Sequence, residues 1–109
     1  MFGELQVQPT VTHVALHGEL DLVTVEKLRA LLREACAGVP ERLVVDLSDV
    51  PFVDVLSLSA VLATADALRE RGATLTVTGA STAIRRICAL LNAEDVLAPV
   101  LPLPRVAVH

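Results

Sequence analysis

The stretch "RLVVDLSDV", residues 42–50, constrains this chain more than any other. Leu43, Val44, Val45 and Leu47 form a nearly continuous apolar run, which is how a strand reads when a sheet is covered on both faces. It leads through "PFVD" into "VLSLSAVL", where Leu58, Val61, Leu62, Ala65 and Leu68 repeat at helical spacing, so a helix is expected from near Ser57 until Gly72 closes it. A buried strand feeding a helix is half of a βαβ crossover, and the rest of the chain supplies the other parts.

Upstream, Leu5 and Val7, then Val11, Val14 and Leu16, flank Pro9-Thr10, which predicts a hairpin of strands at about 4–8 and 11–17. Leu28, Leu31, Leu32 and Ala35 mark a first helix, with Thr24 as its expected N-cap, Glu26 in its first turn, and Gly38 and Pro40 beyond its end. Downstream, "ATLTVTGA" is a strand. "STAIRRICALLN" is a helix capped by Ser81, with Ile84, Ile87, Cys88 and Leu91 inward and Asn92 as a left-handed stop. A short strand near Val100 and a frayed tail are expected last. The order β-β-α-β-α-β-α-(β) gives an α/β fold, a mixed sheet covered by helices, in one domain spanning 1–109.

Composition narrows the function. The chain has 53% hydrophobic residues and only two Phe, with no Tyr or Trp, so the aromatic platforms of single-strand nucleic-acid binders are missing. Its net charge is −4, and the nearest basic feature is Arg85-Arg86, read as a solvated helix face, so no nucleic-acid partner is expected. Cys36 and Cys88 match no metal or redox spacing and are expected as buried free thiols in a reducing cytosol. With Glu4 so close to the start, no signal peptide is expected. The uncharged run Val55–Ala65 is far short of the ~20 apolar residues of a bilayer span, so no membrane insertion is expected. High mean hydropathy instead leaves room for a partner-binding surface, including a homodimer.

Catalytic signals are sparse. His13 and His17 share one strand about 13 Å apart, too far for one metal ion, and are expected as solvated residues; His109 is terminal. The glycines are scattered and form no phosphate loop, and no cofactor or metal is expected. Asp21, Asp46 and Asp54 fall near strand ends, where open α/β sheets place their sites. Asp21 and Asp54 read as turn or helix caps, alone or together with a recognition role. An enzymatic use of Asp46 and Asp54 has no accompanying polar set, so the chain is not expected to be an enzyme.

Three segments together resemble one family. "HGELDLVTVEKLRALL" (17–32), "LVVDLSDVPFVDVLSLSAVL" (43–62) and "RGATLTVTGASTAIRRICALLNAEDVL" (71–97) are similar, in order, to STAS-domain anti-sigma factor antagonists. The resemblance implies a mixed sheet of four to five strands covered by three to four helices. It also implies a cytoplasmic regulator that binds an anti-sigma factor, often a serine kinase, through a surface that here would include Glu19, Asp21, Asp54, Val55, Leu56, Ser57 and Leu58. In that family the kinase phosphorylates a serine just after the aspartate of a D-S-S-G-L motif, which adds charge to a packed surface and releases the partner. This chain reads Asp54-Val55-Leu56-Ser57-Leu58. Val55 and Leu56 cannot accept a phosphoryl group. Ser57 stands at the glycine position, either as a helix cap or as a displaced phosphosite, and each step along a helix turns a side chain by about 100°. An antagonist-like module without the usual off-switch follows. The alternative is a scaffold or adaptor role, in a stressosome-like assembly or beside a membrane transporter.

Overall fold

A computed structural model describes residues 2–98. The expected strand near Val100 lies outside the described residues. The elements are β1 (Gly3–Val7), β2 (Val11–His17), α1 (Val25–Ala37), β3 (Arg42–Asp49), α2 (Val55–Glu70), β4 (Thr74–Thr78), α3 (Thr82–Leu90) and a 3₁₀ turn at Glu94–Val96. The sheet order is β1-β2-β3-β4, with β1 and β2 antiparallel and the β2–β3 and β3–β4 pairs parallel. An isolated parallel bridge joins Val77 to Leu97 on the β4 edge.

The register sorts the side chains. Leu5, Val14, Val45 and Val77 lie in one row, and Thr12, Leu43 and Leu75 in another, all on the core face. Leu28, Leu32, Leu58, Val61, Leu68, Ile84 and Cys88 pack with this face. The opposite face carries Gln6, His13, Val44 and Thr76 in one row and Glu4, Ala15, Asp46 and Thr78 in the next, all half-buried or exposed. The expectation that β3 is covered on both faces is therefore corrected. Val44 makes the run look continuous, but Asp46 restores the alternation of a sheet with one solvated face.

Two helix entries also differ from expectation. Thr24 occupies the N-cap position of α1 but makes no capping bond. Asp21 instead closes the turn that precedes the helix: its Oδ1 accepts from the Val23 and Thr24 amides at 3.0 and 3.3 Å, while the Asp21 amide donates to Thr24 Oγ1 at 3.0 Å. A carboxylate accepts both free amides of the turn, and the threonine hydroxyl is left to brace it. At the end of α3, Asn92 is left-handed as expected (φ 55°), but Leu91 is exposed because it sits at the C-cap. Cys88 is buried and Cys36 half-buried, both free, with burial raising their thiol pKa values.

Gly79 fixes how closely β3 and β4 exit the sheet. Its φ is +70°, and a Cβ there would lie 2.7 Å from both the Cβ and the backbone N of Ser48. Gly79→Ala is expected to cost at least ~1–3 kcal/mol, read as a lower urea midpoint. Gly72→Ala, with φ +81° and nothing within 4 Å, carries the dihedral strain without the clash and is expected to cost less.

Candidate functional site: the amino end of helix α2

Beyond β2 and β3 the chain continues as two loops tied edge to edge. The Gly18 amide donates to the Asp49 carbonyl (3.1 Å), the Leu20 amide to the Phe52 carbonyl (2.9 Å), and the Asp54 amide to the Leu20 carbonyl (2.9 Å). Leu20 and Val53 form a parallel bridge and are both buried. These bonds resume the β2–β3 ladder after the register shift between Ala15 and His17. They bring "GELD" and "FVD" together at one end of the molecule.

Asp54 is the N-cap of α2, extended at φ −89° and ψ 170°, and its Oδ1 accepts from the Ser57 amide at 2.7 Å. The helix therefore starts at Val55, two residues earlier than expected, because Asp54 rather than Ser57 supplies the cap. Val55 and Leu56, its first two residues, are 54% and 42% exposed. Ser57 and Leu58 are wholly buried. The Ser57 hydroxyl has no hydrogen-bond partner. It stands where the family motif has glycine, and burial at that position accounts for a small residue.

Of the residues singled out in the sequence, Glu19, Asp21, Asp54, Val55 and Leu56 stand together at this end with exposed or half-buried side chains, whereas Ser57 and Leu58 face inward. Sequence reasoning missed Leu22, Val23 and Phe52, which are 72%, 86% and 50% exposed in the same pair of loops. Large apolar residues inside loops beside Asp21 and Asp54 were the available signal. Exposed apolar side chains and carboxylates thus share the two loops and the helix start that the backbone bonds tie together. Among the described residues no group of three or more His, Cys, Asp or Glu could hold a metal ion. Among the described residues no helix is long and apolar enough to cross a membrane.

A family model described as "Mlab, STAS domain" matches residues 4–102. The chain belongs to the STAS domain family. Among solved structures it is similar to an anti-sigma factor antagonist from Mycobacterium paratuberculosis, at 29% identity and TM-score 0.79, covering 97% of this chain and 92% of that one. It shares the fold of the anti-sigma factor antagonist SpoIIAA in its unphosphorylated form, at 18% identity and TM-score 0.78, covering 97% and 94%. A sulfate transporter family protein from Wolinella succinogenes has the same fold at 17% identity and TM-score 0.68, covering 85% and 75%. No curated protein matches the sequence.

Proposed function

We propose that this chain is a protein-binding regulatory module of the antagonist type, acting in the cytoplasm, whose partner is a serine-kinase-type anti-sigma factor or a related regulatory protein. It binds rather than catalyses. The observation that carries this is the exposure of Val55 and Leu56 at the head of α2, where the family motif has hydroxyls. Together with Leu22, Val23 and Phe52 they form the kind of exposed apolar surface that marks an interface. Glu19, Asp21 and Asp54 would form its polar rim, as interfaces keep charge at the edge and apolar contact at the centre. Asp46 and Asp54 are engaged locally, accepting from the Ser48 and Ser57 amides, which suits structural roles better than acid–base work.

In this reading the phosphoswitch is missing. Val55 and Leu56 have no acceptor oxygen, and the Ser57 hydroxyl is buried, so the positions that match the family motif offer a kinase no hydroxyl to reach. Binding would be regulated by partner supply or by another device. Incubating the protein with the kinase-type anti-sigma factor and ATP is expected to leave its intact mass unchanged while a complex forms. A phosphate on Ser57 would overturn the missing switch, and no complex at micromolar concentration would remove the antagonist role.

A second reading is an adaptor beside a membrane transporter. It is favoured by the likeness in fold to a sulfate transporter family protein. Both readings use the same docking surface, and pull-down with each class of partner separates them.

A further inference from the structure

His17 sits at the register shift where β2 leaves the sheet, with a carboxylate on each ring nitrogen. Nδ1 is 2.7 Å from Asp49 Oδ2, and Nε2 is 2.9 Å from Glu4 Oε1. These are the two charged groups facing the ring, Glu4 from β1 and Asp49 from the end of β3. Asp46 lies further back, opposite Ala15, and Glu19 is exposed in the loop beyond. Only a ring with both nitrogens protonated can donate to two carboxylates. A neutral imidazole turns one lone pair toward a carboxylate oxygen, and one of the contacts has to open.

The backbone around this ring leads directly into the docking surface. The His17 amide donates to the Phe2 carbonyl (2.8 Å), and the next amide, Gly18, donates to the carbonyl of Asp49 itself (3.1 Å). Two residues further on, Leu20 holds Phe52 and Asp54. We infer that His17 is a protonation-dependent clamp, which in its doubly protonated form joins β1, β2 and the end of β3 and so orders the two loops of the docking surface. This rests on the docking surface proposed above only for its effect on a partner; the ordering of the loops is a property of the free protein.

The hydrogen bond to Asp49 and then that to Glu4 raise the His17 pKa above its ordinary value of 6.5. Its contribution is therefore complete below pH 6.5 and is lost as pH rises through the higher folded value.

Amide hydrogen exchange of the free protein, expressed as protection relative to the intrinsic rate at each pH, tests this. Protection of Gly18, Leu20 and Asp54 is expected to fall several-fold from mildly acidic to mildly alkaline pH, while that of core amides such as Val45 stays level. In His17→Gln these loop amides are expected to show low protection with no such pH dependence. Glu4→Gln supplies an amide that can accept from the protonated ring or donate to the neutral one, so protection is expected to persist across the range. Loop protection in the wild type that ignores pH overturns the clamp, as does an unchanged pH profile in His17→Gln. Affinity for the anti-sigma factor is expected to fall over the same pH interval. Exchange that follows the expected pattern with no complex at any pH supports the clamp and counts against the docking reading.

Discussion

Val55→Asp is expected to weaken binding of the anti-sigma factor by ~30-fold or more, the ~2 kcal/mol scale of a residue at the centre of an interface. The native side chain is half-exposed at the first position of α2 and contributes apolar area only when a partner covers it. A carboxylate there would have to be desolvated beside Asp54. It places permanently the kind of charge that a phosphoryl group would add at a hydroxyl. Stability is expected to stay within about 0.5 kcal/mol, since the site is on the surface and an acidic residue in the first turn suits the helix dipole. Titration calorimetry and a urea melt on the same preparation check both halves. Binding lost together with stability would mean that Val55 acts through the fold.

Leu58→Ala is expected to do the reverse. Leu58 was a plausible contact residue in the sequence, yet it is wholly buried with Val61, Leu68 and the core face of the sheet. Deleting its side chain removes transferred apolar area and leaves a cavity, at a cost of about 2–5 kcal/mol. That is a large share of the ~5–15 kcal/mol stability of a domain this size. Urea unfolding should show the midpoint fall with the slope unchanged. Any loss of partner binding should then track the unfolded fraction, and protein that remains folded should bind normally. A variant that kept its stability and lost affinity would place Leu58 in the interface and contradict the burial.

The comparison of Val55 with Leu58 also shows where the sequence was readable. Helical periodicity identified the core face of α2 through Leu58, Val61, Ala65 and Leu68, and the same logic placed α1, α3 and the hairpin within a residue or two. Periodicity says which residues share a face. It does not say where a helix begins, and the start of α2 depended on whether Asp54 or Ser57 held the cap. The answer came from backbone geometry: the bond from the Asp54 amide to Leu20 fixes Asp54 in an extended conformation from which its carboxylate reaches the Ser57 amide.

Other features were hidden because their partners are remote in the chain. His17 reads as a solvated strand residue until the fold brings in Glu4 from 13 residues away and Asp49 from 32 residues away. Leu22, Val23 and Phe52 look like ordinary apolar residues near element ends. Only the Leu20–Val53 bridge shows that both loops open onto one surface. The solvated face of the sheet was masked by Val44, one apolar residue at a position whose neighbours, His13 and Thr76, are polar. The carboxylates were the most legible part of the site. Asp21 and Asp54 were placed at turn and helix caps by their position alone, and both cap as expected.

The proposed function requires that the head of α2 keep a contact surface although Val55 and Leu56 carry no phosphate acceptor. Hydrogen–deuterium exchange of the protein with and without the kinase-type anti-sigma factor, in the presence of ATP, tests it most directly. Added protection is expected at Leu22–Val23 and across Phe52–Ser57, with no phosphorylated peptide covering Asp54–Leu58. A complex whose protection falls instead on the open sheet face around His13 and Thr76, leaving the head of α2 unchanged, would contradict it.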